Sequence, residues 1–135
     1  MTVETIGLLT ILTKGLVKPI TRNMSHDEFK CRCAHPECTT TTIYIPTARS
    51  FQQLRDHLQI PLRITSGFRC QKHNKSVGGS DNSYHKLGTA VDIAVPESMY
   101  IEDFKAEAEK FFDIVVPYKA ENFIHCHNLM DLQKV

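Results

Sequence analysis

A run of 27 residues, SGFRCQKHNKSVGGSDNSYHKLGTAVD (Ser66–Asp92), constrains what this chain can fold into more than any other stretch. It sets His85 seven residues before Asp92 with Gly88 between them, and NFIHCH (Asn122–His127) supplies two more histidines near the C-terminus. Glycine at position 88 lets the chain turn tightly enough to bring an imidazole to the carboxylate. Thr89–Val95 reads as a strand, with Ala90, Asp92 and Ala94 on one face and Val91, Ile93 and Val95 on the other. A carboxylate flanked only by alanines is costly unless a cation compensates it. On a last strand, His125 and His127 share a face because side chains two apart point the same way. Two imidazoles and one carboxylate make a zinc site with three protein ligands and an open fourth position, the coordination of hydrolytic rather than structural zinc.

The rest of the composition narrows the partners. With 135 residues the chain is expected to form one domain, residues 1–135, large enough for a core without disulfides. A net charge of +1 with no Lys/Arg cluster argues against a nucleic-acid-binding face. Ile6–Val17 is apolar but is interrupted by Thr10, Thr13 and Lys14, too short and too broken to span a bilayer. Glu4 sits where a signal peptide would be basic and no cleavage site follows, so the stretch reads as a helix or strand of the fold. Synthesis in the cytoplasm and a monomer are the expectations. Five cysteines, an odd count, suggest reduced thiols or metal ligation rather than a disulfide framework.

Ser25 and Glu28 have the spacing of a capping box for a short helix. The threonine run Thr39–Thr42 reads as loop or edge strand. Pro46 opens a helix with Phe51, Leu54 and Leu58 on one face and Arg55 and Asp56 turned outward, ended by Pro61. Leu62 and Ile64 alternate with Arg63 and Thr65 as in a short strand, and Ser76–Asn82 is dense in turn formers. Ile101, Phe104, Ala108 and Phe111 mark an amphipathic helix, and a hairpin joins Ile114–Tyr118 to Phe123–His127. The fold class is α+β, a small, mostly antiparallel sheet with flanking helices.

The pattern SGFR-x4-N-x2-VGG-x3-S-x-H-x2-G-x-A-x-D, followed by a hairpin ending NFIHCH, resembles the zinc D-alanyl-D-alanine carboxypeptidase clan. That clan takes in VanY- and VanX-type peptidases, phage endolysins that cut L-alanyl-D-glutamate bonds, and the fold of the hedgehog signalling domain. The likeness runs from about Met24 to His127. It implies one zinc per chain held by His85, Asp92 and His125, with peptidoglycan stem peptide as substrate. It also implies that Arg69 faces the substrate and polarises the scissile carbonyl or holds a carboxylate, and that Ser83 hydrogen-bonds substrate. By the family's habits, such an enzyme serves phage or prophage lysis or is a bacterial cell-wall enzyme, acting on the cell wall after release or as part of a virion. An Arg69 engaged only in a structural salt bridge is the plainer alternative.

One position departs from the pattern. Several clan members carry a glutamate three residues before the last histidine ligand, where this chain has Asn122. His127, on the face of His125, is therefore the expected proton shuttle, with Glu121 second. An exchanged assignment, with His127 on zinc and His125 as catalytic partner, stays open. Asn122 also favours a rival class, a non-catalytic zinc-containing binding or virion structural module. Cys31-x-Cys33-x4-Cys38 is not a standard zinc-finger spacing, so reduced structural cysteines are the favoured reading of that cluster. A small second metal site on Cys31, Cys33 and Cys38, joined by Cys70, is its alternative. Strand alternation turns Cys126 away from the zinc and into the core.

Overall fold

The computed structural model describes residues 3–6, 9–13, 19–21, 24–38 and 40–130, with side chains from Asp27 onward. Near the N-terminus β1 (Val3–Ile6) pairs with β2 (Leu9–Thr13), so the described part of the apolar stretch is strand while residues 7, 8 and 14–17 of it lie outside the described residues, and a short ribbon pairs β3 (Pro19–Thr21) with β4 (Met24–Ser25). Where the capping-box spacing predicts a helix, a single 3-10 turn follows at His26–Glu28. The threonine run enters β5 (Thr40–Tyr44), which pairs antiparallel with β2, while Thr39 lies outside the described residues.

Helix α1 (Ile45–Leu58) leaves β5 without a loop, with proline in its first turn, where a missing N–H costs nothing. Phe51 and Leu54 are fully buried and Leu58 partly so. Pro61 does not end the helix. The end comes at Gln59, which turns left-handed (φ 53°) and donates its N–H to the Arg55 carbonyl. Arg55 is not turned outward either. Its guanidinium lies 4.4 Å over the Phe51 ring and donates to Glu28 and to the Leu62 carbonyl, each at 2.7 Å, because the planar cation covers an aromatic face while reaching polar groups at the rim.

The main sheet orders β6 (Ile64–Ser66), β7 (Ala90–Ala94), β9 (Phe123–His127) and β8 (Ile114–Tyr118), all antiparallel. Two short elements not foreseen from the sequence, α2 (Gln71–Ser76) and a 3-10 turn at Tyr84–Leu87, lie between β6 and β7. Both are too short to show a periodic apolar face. Helix α3 (Ile101–Ala108) buries Phe104 and Ala108, and Phe112 goes further into the core than Phe111. The core joins Ile43, Phe51 and Leu54 to Val91, Ile93, Phe104 and Ile124, and Cys126 is fully buried within it. Sheet and helices together make an α+β fold. No helix of the described residues is long and apolar enough to cross a membrane.

Gly88 is the joint between the two sheets. Its φ is +77°, its carbonyl accepts from Tyr44 N at 2.9 Å, and a Cβ there would meet the Thr42 carbonyl oxygen at 2.4 Å. Gly88→Ala should therefore cost about 1–3 kcal/mol, from left-handed strain plus a backbone clash. Gly78 has a similar φ of +74° but open space around it, so Gly78→Ala should cost less. Urea unfolding of the two variants checks the order, and equal losses would contradict it.

Candidate metal centre

One row of residues crosses the main sheet at the same level. Ser66 on β6 faces Asp92 on β7, which faces His125 on β9. Side chains directly opposite on antiparallel strands are close neighbours, so a seryl hydroxyl, a carboxylate and an imidazole are brought together by register alone. His127, two residues along β9, faces Ala90, whose small side chain leaves room for the ring. That ring stacks on Tyr84, with centroids 4.0 Å apart and planes 16° from parallel.

His85 arrives from outside the sheet, in the 3-10 turn that Ser83 caps by accepting from the His85 N–H at 3.2 Å. The loop after β6 brackets it on two sides. Arg69 N donates to the His85 carbonyl at 3.1 Å, and His85 Nδ1 lies 2.7 Å from the Gly67 carbonyl oxygen. Since a carbonyl only accepts, Nδ1 carries the proton and Nε2 of the neutral ring presents a lone pair. Nε2 sits 3.1 Å from Asp92 Oδ1. On the other side, His125 Nδ1 is 3.0 Å from the same oxygen and His125 Nε2 is 2.9 Å from His127 Nδ1.

Lone pairs of neutral imidazoles do not approach a carboxylate oxygen this closely unless a positive charge lies between them, either a shared proton or a metal ion. His85, Asp92 and His125 each offer a ligand atom, all within 4.8 Å of one another. Two imidazole nitrogens and a carboxylate suit zinc. Burial works to raise the Asp92 carboxyl, but positive charge at its contacts with His125 and His85 outweighs burial and holds it down at about 2, so it stays ionised. Burial and the neighbouring His125 push His127 down to about 4 against the pull of Asp113. A neutral His127 can accept from His125 Nε2–H, which leaves His125 Nδ1 free to ligate.

Arg69 holds the second carboxylate oxygen. Its Nη2 is 3.3 Å from Asp92 Oδ2, its Nε donates to Ser66 Oγ at 3.0 Å, and its Nη1 reaches Asn74 Oδ1 at 3.4 Å. Asn74, fully buried, also donates to the Ser80 carbonyl at 2.8 Å and accepts from Gly79 N at 2.8 Å through its own carbonyl. The sequence reading gave Asn74 no role, although the N-x2-VGG spacing contained the signal. The asparagine ties the glycine turn to the arginine, and a Cβ on Gly79 would overlap its Oδ1 at 2.1 Å.

Arg69, Ser83, His85, Asp92 and His125 border one cavity of about 470 Å³, which Val77, Tyr118 and Phe123 also line. The Tyr118 and Phe123 rings stack with centroids 4.7 Å apart, giving the cavity an aromatic flank. His127 does not border the cavity and hydrogen-bonds to the three-residue cluster through His125. Glu121 is exposed in the β8–β9 turn, away from the cavity, beside Asn122 in the left-handed conformation (φ 57°). Among the described residues, Asp92 is the one carboxylate of the lining.

Residues 22–127 match the peptidase M15 family. The chain belongs to that family. Its members are zinc metallopeptidases, and the matched span carries all three residues of the cluster. A search for individual relatives among curated proteins finds no match.

Removing the Asn74 amide should loosen Arg69 and take away one of the two donors to the Ser80 carbonyl. Asn74→Ala is expected to lose about 1–3 kcal/mol in urea unfolding, the scale of losing one hydrogen bond to a charged group and one to a carbonyl. Full stability in that variant would show that the amide does not hold the turn.

Proposed function

We propose that this chain is a zinc-dependent peptidase that hydrolyses stem-peptide bonds of peptidoglycan, of the D-alanyl-D-alanine carboxypeptidase or L-alanyl-D-glutamate endopeptidase type. The observation that carries the reading is the convergence of three metal-ligand atoms at a cavity that also presents a guanidinium and a hydroxyl. His85 Nε2, His125 Nδ1 and Asp92 are the proposed ligands of one catalytic zinc. Zinc in such a site supplies Lewis acidity toward a peptide carbonyl and lowers the pKa of water toward neutrality.

The chain's own groups divide the remaining work. Arg69 keeps one edge on Asp92 and Ser66 and lines the cavity, where its charge can stabilise a developing oxyanion or hold a substrate carboxylate. Ser83 accepts from the His85 backbone, so its own proton is available to a substrate oxygen. Tyr118 and Phe123 offer an apolar wall against substrate side chains. His127 orients His125 by accepting its Nε2 proton, a positioning role in place of the shuttle suggested by sequence. The likeness to phage endolysins supports a lytic role on the cell wall.

One observation favours a second reading. Neither His127 nor Glu121 borders the cavity, and Asp92 is engaged by both histidines, which suits a module that binds stem peptide without cutting it.

Incubation of zinc-loaded protein with purified peptidoglycan, followed by product analysis, separates the two. Hydrolysis abolished by a chelator and restored by zinc is the expected result; intact peptidoglycan with a fully loaded protein would leave the binding module. Arg69→Ala should lower turnover by about 10²–10³ while keeping zinc, and full activity in that variant would remove Arg69 from the mechanism. His127→Ala should weaken zinc binding by about 10–100-fold, as loss of a ligand's hydrogen-bond partner usually does. A His127→Ala protein with unchanged zinc affinity but turnover lower by about 10²–10⁴ would instead make His127 a proton carrier.

A further inference from the structure

Outside the lining of the cavity four cysteines meet, three of them close in sequence and the fourth, Cys70, far along the chain. Cys31, Cys33 and Cys38 come from the segment after the first 3-10 turn, and Cys70 caps the N-terminus of α2. Their four sulfurs all lie within 4.8 Å of one another. None is in a disulfide, and the Cys70 and Cys33 sulfurs are 3.9 Å apart, far beyond the bond length of about 2.05 Å. A tetrahedron with metal–sulfur bonds of about 2.3 Å has edges of about 3.8 Å, so this separation is that of two ligands of one ion. Backbone N–H groups point at the sulfurs as well. Cys70 N lies 3.4 Å from Cys31 Sγ and His73 N lies 3.4 Å from Cys70 Sγ, contacts that stabilise thiolates over thiols.

We propose that Cys31, Cys33, Cys38 and Cys70 hold a second zinc ion, structural and closed to substrate. The four-sulfur donor set selects zinc, and four protein ligands leave no open position. The segment Cys31–Cys38 lies in no helix or strand, and within it Cys38 N donates to the His35 carbonyl. A metal supplies the folding energy that such an irregular segment lacks.

The location gives the ion a consequence for the cavity. Phe68 N donates to the Phe29 carbonyl at 2.8 Å, and Gly67 packs so closely on Phe29 that a Cβ would meet its backbone at 2.6 Å. The thiolate site would clamp the other end of the same contact at Cys70, the residue after Arg69. The loop held in this way supplies the Gly67 carbonyl to His85 and the Arg69 guanidinium to Asp92. The second ion thus fixes the frame around the first cluster without touching substrate. It does not depend on the peptidase reading.

Metal analysis of the full-length chain tests the assignment without an activity assay. Wild type should carry two zinc ions per chain. His85→Ala/His125→Ala should keep one, and a thiol-specific mercurial should release it. Cys33→Ser/Cys38→Ser should also keep one, which the mercurial leaves in place. The histidine variant decides the matter even if the cysteine variant does not fold, because all four thiolates remain in it. A histidine variant free of zinc, a wild type with iron at the sulfur site, or fewer than five free thiols in the denatured, unreduced protein would each overturn the proposal.

Discussion

The carboxylate of Asp92 is the point on which the arrangement turns. It lies buried on a central strand, with one oxygen shared between His85 and His125 and the other facing Arg69. A buried anion is costly, and each neighbouring group is placed so as to compensate it. Strand pairing supplies His125 and Ser66, the Gly88 turn supplies His85, and the loop after β6 supplies Arg69. The α+β fold positions these groups by joining a register-locked sheet to two short, glycine-dependent turns. A peptidase of this family needs donors fixed before substrate arrives, and preorganisation of this kind provides it.

The loop from Ser66 to Cys70 does more than connect β6 to α2. Successive residues in it orient the guanidinium, accept from the imidazole, pack on Phe29 and present a thiolate ligand. Its geometry is held from both sides, by the buried Asn74 amide and by the cysteine cluster. A fault on either side would reach the cavity through Arg69. This explains how residues remote from substrate, such as Asn74 and Cys38, come to bear on the site.

Much of this was legible in the sequence. The alternation of Thr89–Val95 and of the last hairpin placed Asp92, His125 and His127 on their strands, because a period of two fixes which side chains share a face. The spacing across Gly88 added His85, and the family pattern added Arg69 and Ser83, which periodicity alone does not reveal. What could not be read was short or non-local. Helix α2 and the Tyr84–Leu87 turn have too few residues for a periodic signal, and Arg55 was drawn inward by Phe51 and Glu28, partners its own helix does not disclose. The meeting of Cys70 with Cys31, Cys33 and Cys38, which the sequence offered only as an alternative, depends on a contact across 32 residues or more of chain, from Cys38 to Cys70, and no local spacing rule decides it. The displacement of His127 and Glu121 from the cavity likewise follows from the Tyr84 stack and the left-handed Asn122 turn, neither of which a strand pattern contains.

The central claim is that a single zinc ion lies where the lone pairs of His85 Nε2 and His125 Nδ1 meet the Asp92 carboxylate. Anomalous diffraction at the zinc edge from crystals of the zinc-loaded protein tests it most directly. The account predicts a strong peak within coordination distance of those three side chains, with His127 outside that distance. A peak bonded to His127 in place of His125, or no peak between His85 and Asp92 in a protein that retains its fold, would contradict it.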